Sequence, residues 1–250
     1  MDHREIVRLF DAQVRANPVA TPGLTVVSDG EVTRLEGAYN FVCHWTFNQQ
    51  TAMQAIAQQA DFFRQQGQTL MWRVYDYDQP ANIGACLEQQ GFVANPQGTL
   101  MVLPLEETTL AVTDHDIRHI TAPDGLHDYL AVAEAAFDKD DIGSFDYFSQ
   151  LLSLNDFGFF CGYAEGEPAV SGLLQIQPNS CFGMLFGGGV SPLHRGKGFY
   201  RATVAARVAM AKAQGLKYLT TEARQSSLPI LESLGFIPLA RETTWMLPID

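Results

Sequence analysis

Shifting this chain by 144 positions against itself, without a gap, lays Leu87, Glu88, Gly91, Phe92, Leu103 and Pro104 on Leu231, Glu232, Gly235, Phe236, Leu247 and Pro248. Six identities in one register, inside the same helix-turn-strand order, point to an internal duplication. The chain must therefore adopt a fold that can be built twice within 250 residues. Glu106-Glu107-Thr108-Thr109 and Thr113-Asp114-His115-Asp116 form a polar connector between the copies. The expected domains are 1–108 and 109–250.

Periodicity supplies the elements of each copy. In the first, Ile6, Val7, Phe10 and Val14 have helical spacing over residues 4–16. Two short strands, 24–27 and 32–35, flank the turn residues Ser28-Asp29-Gly30-Glu31, a hairpin pattern. A strand over 39–47, a helix over 51–66, a strand over 69–75, a short helix over 81–90 stopped by Gly91 and a strand over 100–103 follow. The second copy runs longer: a strand over 116–120, helices over 124–137 and 144–154, and a hairpin of 159–164 with 169–177 across Glu165-Gly166-Glu167-Pro168. Strand 182–190, the helix from Gly198, strand 216–221, helix 228–233 and a last strand ending near Pro248 complete it. Such an order predicts an α/β (α+β) chain with mostly antiparallel sheets.

The segment Val190-Ser191-Pro192-Leu193-His194-Arg195-Gly196-Lys197-Gly198-Phe199-Tyr200-Arg201 joins the apolar strand 182–190 to the helix 199–213. Its glycines allow a tight turn and close backbone approach to a ligand, and the first helical turn offers free N–H groups and the positive end of the dipole. A pyrophosphate suits such a place. His194, Arg195, Lys197 and Arg201 cluster there in a chain whose net charge is −12, so the local field opposes the global one. His194 reads either as a base or as an exposed cation. A P-loop does not fit, because Gly198 follows Lys197 and no glycine stands at 191; a dinucleotide fingerprint fails at Arg201.

On these residues the second half resembles the GNAT acyltransferase superfamily, whose signature Arg/Gln-x-x-Gly-x-Gly/Ala is similar to Arg195-Gly196-Lys197-Gly198-Phe199-Tyr200. The likeness extends to Val190-Ser191-Pro192 upstream and to Leu231-Glu232-Ser233-Leu234-Gly235-Phe236 downstream. It implies two GNAT-like domains, each a mixed, mostly antiparallel, splayed sheet flanked by helices. It also implies acetyl-CoA as acyl donor, with Val190 beside the pantetheine arm and the pyrophosphate on the amides of Arg195, Gly196, Lys197, Gly198, Phe199, Tyr200 and Arg201. The sequence departs from the family at two positions. Tyr200 replaces the usual small residue, and Leu231 occupies the position where many members carry a tyrosine acid. The first half resembles the same fold in degenerate form: Phe47-Asn48-Gln49-Gln50-Thr51-Ala52, at the loop position, has neither glycine nor cation.

The resemblance implies transfer of acetyl from acetyl-CoA to a primary amine of a small molecule or protein. The alternative is a non-catalytic acyl-CoA-binding or sensing protein, which Leu231 favours. Glu222 and Tyr200 are the candidates for proton transfer, although Glu222 also suits capping the next helix or pairing with Arg224. Gly187-Gly188-Gly189 suits either a donor to the thioester carbonyl or a bulge that relieves sheet twist. In the family the acidic stretch holding Asp140 and Asp141 borders the acceptor; capping of the following helix by Asp141 or Ser144 is the competing reading. A charge of −12 argues against nucleic acid and anionic membranes as partners. No apolar run spans a bilayer, and the charged start Met1-Asp2-His3-Arg4-Glu5 lacks a signal pattern, so a cytoplasmic location is expected. Cys43, Cys86, Cys161 and Cys181 lack metal-ligand spacing and read as reduced core residues; no metal is expected.

Overall fold

The computed structural model describes residues 2–137 and 142–249. The chain divides into two compact units, each discontinuous in sequence. The first comprises Met1–Met101, Glu222–Pro229 and Pro238–Asp250; the second comprises Val102–Thr221 and Ile230–Ile237.

In the first unit α1 (His3–Phe10) starts at Asp2, whose carboxylate accepts from the Arg4 N–H at 3.0 Å. The expected helix over 4–16 does not stay regular: beyond Phe10 it continues as a π-helical turn, Asp11–Arg15. The hairpin forms as expected, with β1 (Leu24–Asp29) antiparallel to β2 (Val32–Gly37) around Gly30-Glu31. Then come β3 (Phe41–Trp45), α2 (Ala52–Gln65), β4 (Leu70–Tyr75), α3 (Ile83–Gln89) and a two-residue strand, β5 (Val93–Ala94), too short for periodicity to reveal. β3 and β4 pair in parallel across α2. The last strand of the chain, β12 (Ile237–Leu247), lies antiparallel to β4, with Leu247 opposite Leu70 and Trp245 opposite Trp72. Its apolar residues complete a core of Trp45, Phe47, Ile56, Phe63, Trp72 and Leu87. The strand β6 (Gly98–Pro104) passes from one unit into the other.

The second unit begins its sheet with β7 (Asp116–Ile120) and carries α4 (Gly125–Ala136) and α5 (Phe145–Leu152). Ser144 caps α5, accepting from the Tyr147 N–H at 3.2 Å. β8 (Phe157–Ala164), β9 (Glu167–Ile176) and β10 (Phe182–Val190) follow as an antiparallel meander, then α6 (Phe199–Ala213) and β11 (Tyr218–Ala223). The order is β7-β8-β9-β10-β11, with β10 and β11 parallel. Strand, helix and parallel strand thus recur in both units, as β3-α2-β4 and β10-α6-β11. The sheets are mixed and mostly antiparallel, as the sequence leads one to expect. α7 (Leu228–Ser233) precedes β12.

The π turn of the first unit carries Arg15 inward, where it is 6% exposed. It pairs with Asp78 at 2.7 and 3.0 Å and with Asp11 at 2.8 Å, donates to the Cys43 carbonyl, and lies over the rings of Trp45 and Tyr75. Desolvation opposes its charge, but the acidic neighbours outweigh it and its pKa is raised. Arg15→Ala, which strands Asp78, should cost about 3–5 kcal/mol in urea unfolding, whereas Arg118→Ala, in an exposed pair, should leave the midpoint unchanged.

Candidate functional site

The second unit's sheet opens where β10 and β11 part. β10 pairs with β11 only from Phe182/Tyr218 to Met184/Thr220; beyond that the Thr221 hydroxyl, bonded to the Leu185 carbonyl at 3.1 Å, replaces the ladder. On the other side β10 keeps to β9 as far as Val190, with a register shift between Phe186 and Gly189. Phe186 faces Leu173 and Gly189 faces Ser171, so Gly187 and Gly188 together oppose Gly172 alone. This is a β-bulge, and Gly187 takes φ +56° in it. The triple glycine forms the expected bulge.

The bulge directs backbone donors away from β9. The Ser171 hydroxyl bonds the Gly187 carbonyl at 3.3 Å. A planar trans peptide then turns the Gly188 N–H the opposite way, towards the edge that β11 leaves. The Ser191 N–H bonds the Ala169 carbonyl on the β9 side, so strand alternation faces the Val190 N–H to the same edge as Gly188. Two donors therefore line the open side of β10.

After β10 the chain makes a 3-10 turn, Pro192–His194, and reaches α6 through Gly196 and Gly198 at φ +74° and +84°. A side chain at either glycine would be strained. Gly198 is the N-cap and no side chain caps the helix, so its first N–H groups have no side-chain competitor. Arg195, Lys197 and Arg201 are exposed around them, and Arg195 Nε reaches back to the Val190 carbonyl at 3.4 Å. The Phe199 side chain is buried against Ala169 and Val170, which leaves its backbone as the accessible part. Tyr200 turns inward: a Cβ at Gly188 would lie 3.0 Å from its ring. The ring covers the bulge.

Two histidines brace this loop. His194 Nδ1 lies 3.0 Å from the Ser191 hydroxyl and its ring meets the Phe199 ring edge-on at 5.8 Å. His115 Nε2 donates to the Lys197 carbonyl at 3.0 Å, while its Nδ1 accepts from the Thr113 hydroxyl at 2.9 Å. The His115 ring also stacks edge-on against Phe199 at 4.7 Å. From the sequence alone this residue reads only as part of a polar connector, because its contact lies 82 positions away.

The other sequence candidates lie elsewhere. Glu222 neither caps a helix nor pairs with Arg224: it belongs to the first unit and forms a short ion pair with Arg73 of β4, which also approaches Glu242 at 3.5 Å. Burial raises its pKa, Arg73 opposes the shift and Glu242 adds to it. Leu231 is 2% exposed. Asp140 and Asp141 lie outside the described residues. Among the described residues, no helix is long and apolar enough to cross a membrane, and no three His, Cys, Asp or Glu side chains group as metal ligands.

Solved structures share this fold. A GCN5-related N-acetyltransferase from Kribbella flavida superposes with a TM-score of 0.70 at 14% identity, covering 90% of each chain. The chain has the GNAT fold. A tandem GNAT protein from the clavulanic acid biosynthesis pathway matches at TM-score 0.67 and 14% identity, over 94% of this chain and 86% of that one. A GNAT-family acetyltransferase from Colwellia psychrerythraea matches at 0.59 and 13%, over 99% and 97%. No family model and no curated protein matches the sequence. Within the GNAT fold, the broken β10 and the glycine loop before α6 are neighbours in one unit.

The His115 brace has a local consequence. His115→Ala should speed hydrogen exchange at the amides of Lys197 through Tyr200 by severalfold while the amides of β8 and β9 keep their protection, and equal exchange in parent and variant would rule the brace out.

Proposed function

We propose that this protein is an N-acetyltransferase whose second unit binds acetyl-CoA and passes the acetyl group to a primary amine of a small molecule or protein. The observation that carries the reading is the pairing, on one continuous stretch, of the bulged open edge of β10 with an uncapped, glycine-entered helix start amid cations. A pyrophosphate fits the amides from Arg195 to Arg201, where the helix dipole, Arg195, Lys197 and Arg201 supply positive charge. In this reading Val190 takes the pantetheine arm and the Gly188 N–H donates to the acyl carbonyl.

In the reaction the amine nitrogen attacks the thioester carbon, the C–N bond forms, and the C–S bond breaks as the tetrahedral intermediate collapses. The nitrogen loses one proton and the thiolate gains one. Tyr200, whose ring lies on the bulge, is the proton donor in this reading, because Leu231 cannot act. Glu222 is the second candidate, and its ion pair with Arg73 must open before it takes a proton. If Glu222 is the base, Glu222→Gln removes the acidic limb of the pH–kcat/KM profile, a limb set above the ordinary carboxylate range by burial. An unchanged limb excludes it. The amine is assigned to the acidic stretch of Asp140 and Asp141.

Among its described residues the first unit offers no comparable loop. Phe47 to Ala52 leads into α2 without glycine or cation, and the unit is proposed as a shaping partner from an ancestral duplication. A second reading, a non-catalytic acyl-CoA sensor, is favoured by the buried Leu231. Thiol release from acetyl-CoA across a panel of amines separates the two, since only an enzyme turns over.

Calorimetry tests the binding step. One acetyl-CoA should bind per chain, and Gly198→Glu should weaken it about a hundredfold, the equivalent of two lost charge-assisted hydrogen bonds at roughly 3 kcal/mol. A stoichiometry of two, or parental affinity in a folded Gly198→Glu variant, would remove the loop from the site.

A further inference from the structure

Arg207 stands on α6 eight residues past Phe199, on a helix whose other inward residues are mostly apolar, and it is 1% exposed. Its Nε donates to the Thr203 carbonyl at 3.1 Å, and its Nη1 reaches the carbonyls of Leu173 and Phe186 at 3.4 Å each. Those two residues face each other in the last register pair before the β10 bulge. Nη2 is buried without a hydrogen-bond partner, as is the Thr203 hydroxyl one turn earlier. Gly172 and Gly188 make the room: a Cβ at Gly172 would lie 2.8 Å from Arg207 Cζ, and one at Gly188 would lie 3.4 Å from Nη2. The guanidinium thus fills the space of two absent side chains, one on each strand of the register break.

Among the described residues no carboxylate pairs with it. Its ionisable neighbours are the phenols Tyr200 and Tyr129, and desolvation lowers its pKa. Tyr129 approaches the bulge through Gly187, whose Cβ would lie 2.8 Å from the Tyr129 hydroxyl; burial raises that phenol's pKa and keeps it neutral. A cation buried without a counter-ion is costly, and an apolar side chain of similar length would be cheaper at the same place. The charge contrasts with that of Arg15, which has two carboxylates.

We propose that Arg207 is a positioning residue for acyl transfer, holding the Phe186 carbonyl towards α6 and keeping a fixed positive charge beside Gly188 at the open edge. This rests on the acyltransferase reading above. The bulge peptide and the cation act together. Negative charge growing on the acyl oxygen meets the Gly188 N–H, and the guanidinium, which bonds the preceding peptide at the Phe186 carbonyl, adds its field from beside Gly188 in a poorly screened interior. The arrangement is formed before the substrate arrives, so it needs no reorganisation during the reaction.

The test uses the full chain and acetyl-CoA labelled with carbon-13 at the thioester carbonyl. Isotope-edited infrared spectroscopy reads the carbonyl stretch of the bound molecule, calorimetry its Kd, and thermal unfolding the midpoint. In the parent the band should fall below that of free acetyl-CoA. In Arg207→Met it should move back most of the way, with Kd changed by no more than roughly threefold. The midpoint should be equal or higher, because the variant removes a buried unpaired charge. An identical band position in parent and Met variant overturns the proposal, as does a band restored only alongside a lowered midpoint, the mark of a structural role. Arg207→Lys should keep the low band by keeping the charge. Should the Met variant not fold, Arg207→Gln replaces it, retaining a donor for Phe186 without the charge, and a parental band there overturns the role of the charge. If the parent binds no acetyl-CoA, the acyltransferase reading falls and this inference with it; binding with an unmoved band overturns the inference alone.

Discussion

β10 cannot satisfy both of its neighbours. It must stay on β9 as far as Val190 while β11 leaves it after Met184, and it contains one residue more than β9 between Phe186 and Gly189. An edge strand with free backbone donors is normally a hazard in a sheet. Here the exposed edge is short, and it ends in a loop that enters α6 without a side-chain cap. The Thr221 hydroxyl on the Leu185 carbonyl closes the ladder at the point of divergence, and the Ser171 hydroxyl on the Gly187 carbonyl sets the direction of the next peptide. Two small hydroxyls therefore determine where the opening starts and which N–H groups face it.

The glycines of this region serve different physical needs. At Gly196 and Gly198 the backbone itself requires positive φ, and the loop could not enter α6 otherwise. At Gly172 and Gly188 the requirement is space: Arg207, Thr203 and Tyr200 occupy what side chains would have filled. Because Tyr200 goes inward, a bulky residue at the end of the loop motif leaves the amides beside it uncovered. The two buried arginines divide in the same manner. Arg15 is compensated by Asp11 and Asp78 and holds the π turn of the first unit against its core. Arg207 has only carbonyls and phenols around it, so its cost is not met by local pairing.

Much of the fold was legible in the sequence, for identifiable reasons. Amphipathic spacing located α1, α2, α4 and α6, and turn residues located the β1–β2 and β8–β9 hairpins, because both signals depend on neighbours within a few positions. The loop from Val190 to Arg201 could be read as an anion site because glycine, charge and helix start are all local. Harder to read were features with distant partners or no period: β5 is two residues long, and the π turn at Asp11–Arg15 looks like ordinary helix in any hydrophobic pattern. Arg207 does leave a signal in the sequence, an arginine four residues after Thr203 on a mostly apolar helix face.

The sequence by itself determined the element order, the mixed and mostly antiparallel sheets, the positive-φ loop and its cations, since each is encoded by residues close together in the chain. Tertiary structure alone decided that β12 pairs with β4, that Glu222 meets Arg73 and not Arg224, that His115 holds the Lys197 carbonyl, and that Tyr200 and Arg207 converge on Gly188. The physical reason is the same in each case. These contacts join residues from twelve to more than 170 positions apart, or depend on which way a peptide plane faces at a single bulge, and neither distance nor orientation leaves a trace in local composition.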